Sequence, residues 1–198
     1  MASLSRRTKI IIAFVVVIIV GYGLVLFWQK QNQVPTAFVN ARSQGAIIAQ
    51  NIVTVSNQST ATLQQVNQDD VSGDYKDALT LVSGMITQSE DLRNQAVQLS
   101  NQIQLMTESL SSINSFEEQQ AALEAISSHL ALINQLINYS GDLSNLLDTL
   151  QAHFEGTPSN GQNIPALVNQ INTDVAAINN FNNQATQAMQ QFDKLAGS

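Results

Sequence analysis

Two hydrophobic rhythms divide this chain. Residues 10–28, IIIAFVVVIIVGYGLVLFW, are apolar or aromatic throughout and carry no charge. Beyond Pro35, apolar residues recur at alternating steps of three and four, separated by Gln, Asn, Ser and Thr. The first rhythm predicts a helix surrounded by hydrocarbon. At ~1.5 Å per residue it is about 28 Å long, close to the ~30 Å core of a bilayer. The second predicts amphipathic helices that bury a narrow seam against one another.

Four such helices follow in sequence. The first, residues 36–67, carries Phe38, Ala41, Gly45, Ile48, Ile52, Val55, Thr62 and Val66 on one stripe, and Asn67-Gln68-Asp69-Asp70 ends it. The second, residues 72–112, has the most regular seam: Val82, Met85, Ser89, Leu92, Ala96, Leu99, Ile103, Met106, Leu110 and Ile113. Ser72 is placed to cap it. Ser115-Phe116-Glu117-Glu118 has the S-x-x-E form of a capping box, so a third helix starts at Phe116 after a short turn. Its stripe runs through Leu123, Ile126, Leu130, Ile133, Leu136, Leu143, Leu147 and Leu150 to Phe154. The stripe shifts phase near Leu136, and Ser140-Gly141-Asp142 is the place for a kink. Residues 155–162, EGTPSNGQ, form the clearest loop. Asn163 or Ile164 then caps a fourth helix with Pro165 in its first turn, carrying Ile164, Val168, Ile171, Val175, Ile178, Ala185, Met189 and Phe192.

Short turns force antiparallel neighbours. The expected fold is all-α: a single N-terminal transmembrane helix followed by an antiparallel up-down-up-down four-helix bundle, about 50–60 Å long. Residues 1–9 form a cytoplasmic tail, 10–28 the anchor, 29–35 a juxtamembrane linker broken at Pro35, and 36–198 one extracytoplasmic bundle. A turn centred near Ser115 puts Ile103 opposite Leu130 and Leu99 opposite Ile133. Leu147 should lie near Ile171.

Charge sets the orientation. Arg6, Arg7 and Lys9 precede the span, and only Lys30 follows it closely. Basic residues collect on the cytoplasmic side, so the expected topology is single-pass in the cell membrane, N-terminus inside, bundle outside. The apolar run is longer than the core of a signal peptide, and no A-x-A site follows, so it reads as an uncleaved anchor. Beyond Lys30 lie all fifteen acids and four bases, Arg42, Lys76, Arg93 and Lys194, a formal charge of −11. Such a surface repels phosphate backbones, so nucleic acid is not an expected partner. Cysteine is absent, which rules out disulfides and thiolate sites. Gln and Asn make up roughly a fifth of the chain; with unbroken heptads they read as the polar faces of a folded bundle.

Chemistry is sparse. Neither His129 nor His153 has an acid three residues before it, so the Glu-x-x-His motif of di-metal bundles is missing. Both are read as solvated or flanking the seam. Met85, Met106 and Met189 lie on seams, where gap-filling rather than haem ligation explains them. Glu117 and Glu118 are accounted for by capping and the helix dipole. No G-x-S-x-G, P-loop or H-E-x-x-H occurs, so no enzyme, cofactor or metal is expected.

One pattern points to contact. Ala37, Ala41, Gly45 and Ala49 stand four apart, a ridge of small residues that lets a second backbone approach closely. The backbone is either another helix of the bundle or a partner, which includes a second copy of the chain. The overall plan, an N-terminal anchor followed by an extracytoplasmic helical bundle, resembles the LemA family and the sensor domains of chemoreceptors. The resemblance is one of architecture, and no residue role is carried over from it. The expected function is a non-enzymatic scaffold or interaction module of the cell envelope; the alternative is a small-ligand sensor or binding module of a membrane complex. The seam positions Ser59, Thr62, Ser89 and Asn182 are the polar ones a ligand would have to use.

Overall fold

The computed structural model of the protein describes residues 34–157 and 163–197. The expected tail and span, and most of the linker, lie outside these residues. Among the described residues no helix is long and apolar enough to cross a membrane. Four helices and no strands are present there: α1 (Thr36–Ser72), α2 (Tyr75–Leu110), α3 (Phe116–Glu155) and α4 (Ile164–Ala196). They have 37, 36, 40 and 33 residues, so the longest is about 60 Å.

Each helix packs against the next, and α1 closes the ring on α4 through the least extensive of the four interfaces. Side-chain bonds fix the directions. Arg42 near the start of α1 meets Asp193 near the end of α4, and Asn57 meets Asn179 further along, so α1 and α4 run antiparallel. Arg93 bonds Ser140 across α2 and α3. That register sets Ile103 and Leu130 at one level, with Ile103 buried and Leu130 exposed. At the opposite end of the bundle from Arg42, His153 Nε2 lies 3.1 Å from Asp70 Oδ1.

Several end signals behave as the sequence suggests. Ser115 Oγ accepts from the Glu118 amide at 3.3 Å and donates to Glu117 Oε2 at 3.1 Å. Asn163 Oδ1 accepts from the Ala166 amide, with Pro165 in the first turn of α4. The α1–α2 boundary differs. Ser72 does not cap α2; it is the last residue of α1. The stop is Gly73, whose φ of +80° is the left-handed conformation that glycine adopts without strain. Its amide bonds Asp70 O, and the Asp74 amide bonds Asp69 O at 2.8 Å. The acids read as a terminator are thus the last turn of a longer helix.

The α3 helix runs continuously through Ser140-Gly141-Asp142. Of its expected seam before Leu136, Ile126 and Ile133 are buried as expected and the two leucines are not. Leu123 and Leu130 are exposed, while Ala121, Ala122, Ala125, Ile126, His129, Leu132 and Ile133 are buried. In α1 the stripe likewise passes through Ala49, Ser56, Ser59 and Leu63 rather than Ile48, Val55 and Thr62. The seam of α2 matches its sequence reading from Val82 through Met106.

Candidate functional site

The small ridge belongs to the bundle. Ala41, Gly45 and Ala49 are buried, and only Ala37 is exposed. A Cβ built at Gly45 would lie 3.6 Å from both Leu99 Cδ1 and Gln102 Cβ. The side chains that face Gly45 therefore belong to α2 of the same chain.

The side chains with chemistry gather instead in a polar layer across the middle of the bundle. Heptad spacing brings one or two polar residues of each helix to the same level. Ser59 Oγ on α1 donates to Gln88 Oε1 on α2 at 3.2 Å. Ser89 Oγ lies 3.2 Å from Ser140 Oγ on α3, and Arg93 Nε donates to the same Ser140 oxygen at 2.7 Å. On the far side of α3, Asp174 of α4 accepts from Gln135 Nε2 at 2.8 Å and Gln170 Nε2 at 2.9 Å, both on Oδ1. Between them stands Tyr139, fully buried, with its hydroxyl beside Ser59 but without a hydrogen bond of good geometry. Burial pushes this hydroxyl up to about 12; Ser59 works against that shift and the charge of Asp174 adds to it. At neutral pH Tyr139 is therefore a neutral phenol.

Of the four seam positions singled out as polar, Ser59 and Ser89 belong to this layer; Thr62 and Asn182 are only half-buried. Asp174 and Tyr139 escaped sequence reasoning. Asp174 stands one residue before Val175 on an apolar stripe, and a lone acid there reads as a flank. The available signal was its setting: between Ile164 and Asp193 it is the only ionisable residue. Such isolation is unusual for a surface acid.

An open groove of about 520 Å³ borders the layer between α3 and α4, lined by Gln135, Asn138, Asp142, Asn145, Gln170 and Asp174 among others. Carboxamides and carboxyls of this kind can hold a proton or a polar ligand. No group of three or more His, Asp or Glu side chains that could hold a metal occurs among the described residues.

The two histidines part company. His153 is exposed beside Asp70, as a solvated histidine should be. His129 is 5 % exposed, which corrects the reading that it is solvated. It occupies a seam position that a Leu would ordinarily fill. Burial lowers its pKa, and the nearby Ala125 carbonyl opposes this only in part. The folded value thus lies below the unfolded value of ~6.5. Stability from keeping His129 neutral is fully present above that pH and is lost as pH falls from there towards the folded value. Between pH 8 and pH 5 the thermal midpoint of the wild type should lose ground to that of His129→Gln as pH falls.

Compared with known proteins, the chain matches no family model, no curated protein and no solved structure.

Proposed function

We propose that this is a single-pass membrane protein whose four-helix domain stands outside the cytoplasm and serves the cell envelope as a non-enzymatic scaffold or interaction module. The observation that carries the reading is the uninterrupted apolar run of residues 10–28, with Arg6, Arg7 and Lys9 on one side and Lys30 alone on the other. The scaffold role is supported by how the interior polar groups are used. The Ser59–Gln88, Ser89–Ser140, Arg93–Ser140 and Gln135–Asp174 bonds each tie one helix to the next. An interaction module also needs an uncovered face. Val97 on α2 and Ile137 on α3 are 62 % and 60 % exposed, and Leu130 lies two turns before Ile137 on the same side. Val97 and Ile137 border a largely apolar groove of about 340 Å³ that reaches Ala96, Ile133 and Leu136 and has Arg93 and Ser100 at its edge. Single exposed apolar residues are ordinary, but several together above an apolar groove form a contact patch.

The alternative, a small-ligand sensor or binding module, is favoured by the polar α3–α4 groove. Protease added to spheroplasts tests the topology: it should digest the bundle and spare a short N-terminal fragment. Full protection overturns the orientation. A photo-crosslinking side chain at Val97 in the membrane-resident full chain tests the role. One discrete protein adduct, lost on Leu130→Lys, supports the interaction module. No adduct, together with a small molecule that stays with the purified protein, moves the case to the sensor.

A further inference from the structure

The floor of the α3–α4 groove holds two acids and no base. Asp142 of α3 and Asp174 of α4 both line it. Asp174 is 1 % exposed. Its Oδ1 takes the two amide donors that reach it, Gln135 at 2.8 Å and Gln170 at 2.9 Å. Its Oδ2 is buried and has no donor among the described residues. The Asp142 carboxyl lines the same groove and bears on Asp174 through its charge and hydrogen bonding.

Among the described residues no cation acts on Asp174. α4 has no other ionisable residue between Ile164 and Asp193. α1, which packs on the other side of α4, carries no Asp, Glu, Lys, Arg or His between Arg42 and Asp69. Arg42 is itself engaged by Asp193 at the end of the bundle. From α3 the titratable groups at this level are Asp142 and the phenol of Tyr139, which is neutral at ordinary pH. Arg93 of α2 is bonded to Ser140, the α3 residue at the α2–α3 contact.

Two carboxylates cannot both stay ionised at contact distance when one is buried and no cation offsets them. We propose that Asp142 and Asp174 share one proton, and that this carboxyl–carboxylate hydrogen bond is a pH-sensitive latch between α3 and α4. The proton supplies the donor that Oδ2 lacks. Burial and the Asp142 charge hold the Asp174 carboxyl above the usual carboxylate range, while the Gln170 and Gln135 amides act in the opposite sense. Removing the proton leaves two facing negative charges at the edge of the polar layer, and α3 and α4 loosen along the groove. The latch does not depend on which side of a membrane the domain occupies.

The sign of the effect follows from linkage. The folded value is raised, so the latch's contribution is complete below the unfolded carboxyl value of ~3.9 and is lost as pH rises through the folded value. His129 acts in the opposite sense, and comparison at a fixed His129 cancels it. The experiment is a set of thermal midpoints for the detergent-solubilised full chain, wild type against Asp174→Asn and Asp142→Asn, from pH 4 to pH 8. An Asn amide donates permanently to the remaining carboxylate. Each variant should therefore gain on the wild type as pH rises, by at least about 3 °C between the ends of the range. If Asp174→Asn fails to fold, the half-buried Asp142 position carries the test alone. Parallel curves overturn the proposal. So does a wild-type midpoint at pH 7.5 that added calcium chloride raises and that Asp142→Asn makes insensitive to calcium, because the pair is then a cation site.

Discussion

Replacing Phe192 by Ala should cost the bundle about 3–5 kcal/mol, the usual range for truncating a buried aromatic residue. Phe192 is almost wholly buried near the end of α4, and its ring centroid lies 5.1 Å from that of Phe38 at the start of α1. The Arg42 guanidinium sits over the same ring at 5.9 Å and also forms a two-pronged pair with Asp193, Nη2 to Oδ2 at 2.7 Å. One side chain thus joins an aromatic pair, a cation–π contact and the helix interface that has the fewest other contacts to compensate. In a chain of this length the loss corresponds to a fall in thermal midpoint of roughly 6–20 °C. Asp193→Asn should cost far less, about 1 kcal/mol or under, because both members of the pair are about a quarter to a third exposed. A larger loss from Asp193→Asn than from Phe192→Ala would show that charge, and not ring packing, closes this end.

Gly45 gives the second large effect, with opposite signs for two substitutions. An added methyl meets Leu99 and Gln102 at 3.6 Å, an ordinary contact distance. Gly45→Ala should therefore stabilise the domain by up to about 1 kcal/mol, the helix-propensity gap between the two residues. Gly45→Leu must place three further carbons where the fully buried Leu99 already sits. Overpacking of this kind costs ~1–3 kcal/mol. Chemical denaturation of both variants checks the pair of signs. If Gly45→Leu left stability intact and dissolved a crosslinked dimer, the ridge would be an intermolecular surface and its burial against α2 would need another explanation.

The helices and their caps were readable because they depend on local rules. Ser115 and Asn163 cap where a short polar side chain precedes an apolar period, and the α2 seam is regular enough to fix its own phase. The phase of α3 was harder. Leu123 and Leu130 outweigh Ala122 and His129 on any hydrophobicity scale, yet Ala122 and His129 are the ones buried. Which face of a helix meets its neighbours is a property of the packed helices together and is not written in any one of them. The polar layer was hidden for the same reason. Ser59, Ser89 and Ser140 look like weak points of three separate stripes until antiparallel packing brings them to one level, where they bond one another and their neighbours. Asp174 and Asp142 are 32 positions apart in the sequence, and only the α3–α4 register makes them a pair.

The closure of the ring at α1 and α4 has a mechanical meaning. The chain enters α1 after Pro35 and leaves α4 at Gly197, and the Arg42–Asp193 contact puts both points at the same end of the bundle. Tension between them pulls across the α1–α4 seam, so it peels contacts one at a time instead of shearing the whole interface at once. The load falls first on Phe38–Phe192 and the Arg42 pair, and the next side-chain hydrogen bonds across that seam join Asn57 and Asn179 about four turns further in. Held by its two ends, this domain is a zipper whose first tooth is an aromatic ring, and it opens from that end towards the polar layer.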